Sequence, residues 1–208
     1  MNDTNAPSHI RLPRQGRSQA TYERLLDVAG ELLGEVGVDQ ISTNLICARA
    51  GVTPPALYRY FDDKYAVLEA LGRRLMTRQN EALEQWIARH EPHGVKAMRR
   101  NIEELLRDTA AITASEPGAV WILRALHASP RLVHVRLESH RYVTDRLTDA
   151  YARHMPGFPR DELWRRLRLS VEMGFAIDEM LTEETRITAD EAFRYAADTL
   201  RGDLPLED

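Results

Sequence analysis

The stretch "ICARAGVTPPALYRYF", residues 46–61, decides the fold of this chain. A short apolar segment ends at Gly51, and a second segment opens on two prolines, Pro54 and Pro55. Glycine favours a helix end, and proline, which lacks an amide and has a helix-compatible φ, favours a helix start. Because Pro55 disfavours the α conformation at the residue before it, we expect Pro54 to lie in the turn. The stretch therefore predicts two short helices joined by a tight turn.

Helical spacing continues on both sides of this stretch. Apolar residues recur from Leu25 to Val36 at intervals of three or four, and Ser42 or Thr43 can cap the helix that carries Ile46. Asp62 can cap a long helix that extends towards residue 89. Proline and glycine residues then separate further predicted helices at about 95–114, 119–127, 131–154, 160–182 and 189–201. No sustained strand alternation is present. The sequence predicts an all-α fold of about nine helices.

Composition limits the class of protein. The chain has 208 residues, 43% of them hydrophobic, and a net charge of −4, which suits a globular core and excludes a chain that is basic throughout. It has a single cysteine, Cys47, no apparent signal segment and no apolar run of the roughly 18 residues that a bilayer span needs. We therefore expect a cytoplasmic protein with no membrane partner, in which Cys47 is an unreactive core residue.

The two short helices form a predicted helix-turn-helix, a unit whose second helix enters the DNA major groove. Ile46, Ala50, Leu57 and Phe61 can form its small core. Outward positions then fall to the following residues: Thr53, Pro54, Pro55, Ala56, Tyr58, Arg59 and Tyr60. Tyrosine hydroxyls and arginine donate to phosphates, and arginine reads guanine, so this face suits DNA. The alternative is that the two tyrosines are ordinary half-buried aromatics.

Residues 46–61, followed by Asp62-Asp63-Lys64 and Leu68 and preceded by "LLDVAGELLGEVGVDQIST" at 25–43, resemble the TetR family of transcriptional regulators. The resemblance is strong over residues 17–75 and only architectural beyond them. It implies a flexible basic arm (1–16), a helix-turn-helix head (17–78, motif at about 42–61) and a ligand-binding and dimerisation body (79–208). Two departures from the family pattern are Cys47, where a small residue is common, and Pro55, where glycine is frequent.

The resemblance also implies roles for individual residues. Thr53, Ala56 and Arg59 are candidate base readers; Thr43, Tyr58, Tyr60 and Lys64 are candidate phosphate contacts; Arg14 and Arg17 are similar to the basic arm of some members. It further implies a homodimer that a small-molecule inducer releases from a pseudo-palindromic operator.

The segment 160–182 carries apolar residues on two faces, so it must be buried on two sides. We assign one stripe to a dimer interface with a second copy: Leu163, Leu167, Val171, Gly174 and Leu181. The alternative is a central helix of a monomeric bundle. An inducer pocket is expected among the helices of the body. Its candidate lining residues are Trp121, Arg124, His127, Tyr142, Trp164, Met173 and Phe175.

Signatures of other functions are missing from the sequence. No two histidines stand four residues apart, and no Gly-rich phosphate loop or nucleophile elbow appears. We therefore predict no metal, no cofactor and no catalytic residue, and a regulator, most simply a repressor, rather than an enzyme. Two rivals stay open: a small-molecule-binding or catalytic helical protein without a role in transcription, and a DNA-binding dimer controlled by a protein partner.

Overall fold

In a computed structural model that describes residues 10–11 and 16–201, the chain is built from α-helices. Their bounds are α1 Gly16–Gln40, α2 Thr43–Ala50, α3 Pro54–Tyr58, α4 Lys64–His90, α5 Gly94–Arg100, α6 Ile102–Ser115, α7 Ala119–Ala128, α8 Val133–Ala152, α9 Arg160–Met180 and α10 Ala189–Arg201, with a 3₁₀ turn at Glu91–His93. The all-α prediction is confirmed. Within the described residues, the only β-type pairing is one bridge between Ile10 and Phe61, and no helix is long and apolar enough to cross a membrane.

The predicted helix 95–114 is divided at Asn101. The Trp86 indole nitrogen donates to the Asn101 carbonyl at 2.9 Å, and the Asn101 side chain donates to the Ala97 carbonyl at 2.8 Å. Asn101 has the bridge-region conformation φ −101°, ψ 15°. The buried Trp86, 15 residues earlier, thus bonds to the Asn101 carbonyl, which would accept a backbone amide in a continuous helix. The spacing of apolar residues within 95–114 does not reveal this contact.

The described chain divides into two compact units. The first unit comprises residues 10–11, 16–76 and 113–136, and the second comprises 77–112 and 137–201. In the first unit, α1 packs on α2 and α7, and fully buried Leu25, Leu32, Ile46 and Leu57 belong to its core. The second unit has its own core, which includes Trp86, Met98, Leu147, Leu163 and Leu167.

A glycine contact joins α1 to the turn before α7 inside the first unit. Gly118 has φ +73°, and a Cβ atom placed there would lie 2.5 Å from the Gly30 carbonyl oxygen. A Cβ atom at Gly30 would in turn lie 2.9 Å from the Pro117 oxygen. Only glycine permits backbones to approach this closely, so these residues fix the distance between α1 and the α6–α7 turn.

Arg74 of α4 supplies a charged contact between the same elements. It donates to Glu116 Oε1 at 2.6 and 3.0 Å and to Asp27 Oδ1 at 2.7 Å. The Glu116 side chain is buried, with 3% of its surface exposed, whereas that of Asp27 is 64% exposed. Arg74 therefore holds α1, α4 and the α6–α7 turn together through one guanidinium group.

Candidate nucleic-acid interface

Helix α2 is bounded by the caps that its sequence predicts. Ser42 is the N-cap, and its Oγ accepts from the Leu45 amide at 3.2 Å. Gly51 ends the helix in the left-handed conformation (φ 65°, ψ 35°), and the Val52 amide donates to the Cys47 carbonyl at 3.0 Å. This glycine-terminated cap turns the chain sharply towards α3.

Helix α3 begins at Pro54, so the expectation that Pro54 lies in the turn is wrong. Thr53 is extended and its side chain makes no capping hydrogen bond. Its carbonyl accepts from the Ala56 amide at 2.9 Å, which is the first amide available after two prolines. The start of α3 therefore offers no backbone donor from its first two residues, and contacts to a partner there fall to side chains.

Most of the predicted DNA contacts lie on one exposed face. Thr53 and Arg59 are exposed, Ala56 is half-buried, and 43% of the Tyr58 surface is accessible. The Tyr58 hydroxyl lies 3.2 Å from Thr43 Oγ1. The turn thus brings the first residue of α2 and the last of α3 together, and their two hydroxyls form one polar point beside the face.

Tyr60 does not belong to this face, contrary to its predicted outward position and phosphate contact. Only 6% of its surface is exposed. Its ring packs edge-on against Tyr22 at 5.8 Å between centroids and lies near Phe61. Because α3 ends at Tyr58, Tyr60 lies beyond the helix and turns towards α1. The alternative of an ordinary part-buried aromatic describes Tyr60, and the phosphate contact of Tyr58 stays a prediction.

At the start of α4, Asp63 rather than Asp62 acts as the cap, since its Oδ1 accepts from the Ala66 amide at 2.9 Å. Lys64 is half-buried, and its Nζ donates to the Val38 carbonyl at 3.1 Å. An ammonium group has three hydrogens, so this bond leaves capacity for a further acceptor. The predicted phosphate contact of Lys64 stays a prediction.

The N-terminal segment docks beside α3 through Arg11, which sequence reasoning did not select. Its amide donates to the Tyr60 carbonyl at 3.0 Å, its Nη1 donates to the Tyr58 carbonyl at 3.2 Å, and its Nη2 lies 3.1 Å from Asp62 Oδ1. The sequence signal for such an arm is the segment 4–22, which contains Arg11, Arg14 and Arg17 and no acidic residue. Arg14 and the Arg17 side chain lie outside the described residues.

Two further residues of α2 are accounted for by their neighbours. Arg49 is exposed and makes a two-pronged ion pair with Glu35 at 2.8 and 3.0 Å. The hydrogen bond from Arg49 lowers the pKa of the Glu35 carboxyl. Cys47 is buried, and burial raises the pKa of its thiol, which favours the unreactive protonated form.

A cavity lies within the second unit. The space between its lining side chains, counted together with the open solvent at its mouth, is about 920 Å³. Lining residues come from α4, α5, α6, α8, α9 and α10 and include Leu83, Arg99, Leu105, Tyr151, Val171, Phe175, Asp178 and Leu200. Phe175 also stacks on His140 at 3.9 Å, and His140 Nδ1 lies 3.0 Å from Glu172 Oε2. The cavity is therefore walled by aliphatic side chains with a few polar groups, as ligand sites are.

Only one of the seven predicted pocket residues, Phe175, lines this cavity. Trp121, Arg124 and His127 belong to the first unit. The Tyr142 hydroxyl donates to Glu84 at 2.7 Å, the Trp164 indole donates to Asp145 at 2.7 Å, and Met173 is exposed. These residues were predicted because large aromatic side chains are common in ligand pockets. The Tyr142 hydroxyl and the Trp164 indole nitrogen instead bond to carboxylates on neighbouring helices.

The predicted dimer stripe on α9 faces the interior of its own unit. Leu163, Leu167 and Val171 are buried, and Leu167, Val171 and Gly174 line the cavity. The opposite stripe is the exposed one: Leu169 has 68% of its surface accessible, and Met173 and Met180 are also exposed. Tyr195 of α10 is a further exposed apolar residue. The two-stripe interpretation of this helix agrees with these burials, but the stripe predicted to form a dimer interface is the internal one.

Comparisons with known proteins place the helix-turn-helix in a family. A family model described as bacterial regulatory proteins, tetR family, matches residues 25–71. The HTH-type transcriptional regulator BetI of Yersinia pestis (strain Pestoides F) is 28% identical over 148 residues, which are 70% of this chain and 74% of that protein. The tetracycline repressor protein class D of Escherichia coli is 30% identical over 88 residues, 42% of this chain and 35% of that protein.

Solved structures share the whole architecture. A TetR-family transcriptional regulator from Streptomyces coelicolor superposes with a TM-score of 0.63 at 24% identity, over 88% of this chain and 96% of that one. A TetR-family regulator described as putative, from Mesorhizobium loti MAFF303099, superposes with a TM-score of 0.68 at 16% identity, over 91% and 97%. Likeness at these identities is evidence for the fold.

Proposed function

Because this chain belongs to the TetR family of transcriptional regulators, we propose that it is a homodimeric repressor that binds a pseudo-palindromic operator and is released by a small molecule. The observation that carries the proposal is the exposed face of α3, where Arg59 and Thr53 lie beside the paired Tyr58 and Thr43 hydroxyls. In a dimer, two such faces would enter major grooves about 34 Å apart, one helical turn.

The proposed contacts divide into two kinds. Thr53, Ala56 and Arg59 are the proposed base readers, since they lie on the exposed or half-exposed side of α3. Thr43, Tyr58 and Lys64 are the proposed phosphate contacts. Arg14 and Arg17 keep their proposed role in the arm, while buried Tyr60 is removed from the set.

Selection of DNA from a random pool by the purified full chain tests the proposal. We expect enrichment of a two-fold-related motif and binding that weakens steeply with salt, because phosphate contacts release counterions. A pool that stays unenriched would contradict a sequence-specific regulator and favour a helical ligand-binding protein or enzyme without a role in transcription.

Arg59→Ala should relax base preference at one position in each half-site. Bidentate arginine contacts to guanine contribute about 1–3 kcal/mol of discrimination, so affinity for the preferred site should fall roughly tenfold to hundredfold. The measurement is fluorescence anisotropy on the selected site and on variants of each base pair. Arg165→Ala, which removes an exposed arginine from α9 in the second unit, is the charge-matched control. Unchanged base preference in Arg59→Ala would limit Arg59 to a phosphate contact.

The exposed stripe of α9 is the proposed dimer interface in place of the stripe predicted from sequence. Leu169, Met173 and Met180 follow one face of α9 at intervals of four and seven residues, with Ala176 between them. Isolated exposed apolar residues are ordinary, but a continuous stripe on one helix is typical of an interaction surface. A two-fold axis across this stripe would bury it against its own copy.

Leu169→Lys should convert the dimer to a monomer, because it places two charges at the proposed two-fold contact. Sedimentation velocity of the variant would show a single species with the mass of one chain, which is 23.8 kDa. Arg165→Lys, one turn away on the same helix, is the control that keeps the charge and should leave the dimer unchanged. A Leu169→Lys protein that sediments as the native one would exclude this stripe.

The cavity of the second unit is the proposed inducer site. Its support is its largely aliphatic wall and its few polar groups. A helical body with a formed cavity also favours a small-molecule signal over the rival idea of control by a protein partner alone.

A further inference from the structure

The charged side chains of the cavity occupy different ends. Among the described residues, Arg99 and Asp178 are the only charged ones that line it. Helices α8 and α9 run antiparallel, since Asp145 contacts Trp164 while His140, earlier on α8, contacts Glu172, later on α9. The C-terminal end of α8, with Tyr151, therefore lies beside the N-terminal end of α9.

We place Arg99 at the same end of the cavity as Tyr151, because both residues line the cavity and the charge of Arg99 acts on the Tyr151 hydroxyl. The Tyr151 hydroxyl is protonated at neutral pH, as an ordinary tyrosine is, and burial raises its pKa further while Arg99 opposes that rise. This end thus presents a guanidinium and a phenolic hydrogen, two donors that suit an anionic oxygen group.

Asp178 marks the opposite end. It lies eleven residues after Leu167 on α9, which at 1.5 Å per residue is about 16 Å along the helix. Asp178 is buried, and its carboxyl group lines the cavity at that end. One end therefore presents a guanidinium group and the other a carboxyl group.

The wall between the ends is aliphatic. It is formed by Leu83, Ile102, Leu105, Leu106, Val143, Leu147, Leu167 and Val171. Two hydroxyls also line it, but Thr109 Oγ1 donates to the Leu105 carbonyl at 3.0 Å and Ser170 Oγ donates to the Arg166 carbonyl at 3.2 Å. Their protons are directed into their own helices, so the middle of the cavity suits a hydrocarbon segment.

We propose that the cavity takes an unbranched aliphatic monocarboxylate, with its carboxylate at Arg99 and Tyr151 and its chain along the aliphatic wall towards Gly174. The binding of this compound is independent of the proposed function; only its role as the inducer rests on that function. The stretch of α9 from Leu167 to Gly174 is seven residues, about 10 Å. With carbon–carbon bonds near 1.5 Å in a zigzag, this length corresponds to roughly eight carbons.

Calorimetric titration of the full chain with four compounds of equal length tests the ligand class. The probes are octanoate, octylamine, 1-octanol and the dicarboxylate suberate. We expect octanoate to bind at least tenfold more tightly than octanol, since hydrogen bonds to a charged group exceed those to a neutral one. Suberate should bind more weakly than octanoate because its second carboxylate meets Asp178, and Asp178→Asn should narrow that difference.

Arg99→Met tests the position of the carboxylate. It should weaken octanoate at least tenfold and leave octanol within about twofold, which also verifies that the variant is folded. Arg100→Met is the matched control, because Arg100 is exposed, adjacent in sequence and not part of the lining. Equal losses in the two variants would overturn the assignment to Arg99.

Two results would overturn the ligand class. Tighter binding of octylamine, abolished in Asp178→Asn, would assign the cavity to cations. Absence of binding by all four probes would exclude linear ligands of this length. DNA selection on the same preparation separates the two proposals: a protein that selects DNA but ignores octanoate keeps its proposed function and loses this inference. A protein that binds octanoate but selects no DNA keeps this inference and loses its proposed function.

Discussion

Gly118→Ala should lower the free energy of unfolding by about 2–4 kcal/mol, which combines roughly 1 kcal/mol for a left-handed backbone with about 1–3 kcal/mol for overpacking. The added methyl group would lie 2.5 Å from the Gly30 carbonyl oxygen and 3.3 Å from the Gly34 amide. These neighbours are backbone atoms of α1, so they cannot rotate away. Urea unfolding followed by circular dichroism measures the effect.

Gly157→Ala is the control for this prediction. A Cβ atom at Gly157 meets nothing within 4 Å, and the residue is exposed. The expected change is within about 0.5 kcal/mol, as for an ordinary surface substitution. If both alanine variants unfold at the native urea midpoint, the close approach of α1 to the α6–α7 turn is not a stability determinant.

Arg74→Met should destabilise the protein by about 3 kcal/mol, near the lower bound for breaking a buried pair, because Arg74 itself retains some solvent contact. The loss arises because the Glu116 carboxylate stays buried without its guanidinium partner. Arg160→Met, which removes one partner of an exposed ion pair with Asp149, should cost less than about 1 kcal/mol.

The double variant Arg74→Met/Glu116→Gln identifies the origin of that loss. If the stranded carboxylate is responsible, the double variant should be more stable than the sum of the two single effects by at least about 1 kcal/mol. Additive effects in urea unfolding would instead assign the loss to the aliphatic packing of Arg74 or to its bond with Asp27.

The features predicted correctly from sequence are those with local causes. Ser42 and Gly51 bound α2 through contacts within five residues, and serine and glycine are residue types that favour helix starts and helix ends. The all-α class and the breaks at 92–94, 117–118 and 156–159 follow from proline and glycine in the same way. The outward positions of Thr53, Tyr58 and Arg59 followed from the helical spacing of a single short element.

The features predicted wrongly depend on distant partners. Tyr60 turns inward because Tyr22, 38 residues earlier, supplies an aromatic surface. Both apolar stripes of α9 are visible in the sequence, but only the packing of Leu163 and Leu167 among side chains of other helices shows which stripe is internal. The cavity residues Arg99, Tyr151 and Asp178 lie far apart in sequence, and no spacing rule connects them.

The docking of Ile10 and Arg11 has a practical meaning for how this protein is handled. Their bonds to Tyr58, Tyr60 and Asp62 fix the point at which the N-terminal part of the chain joins the first unit. That point is at the edge of the proposed DNA-contact surface. A purification tag or fluorescent protein fused ahead of Ile10 would therefore be delivered next to the DNA, where its charge would alter measured affinities.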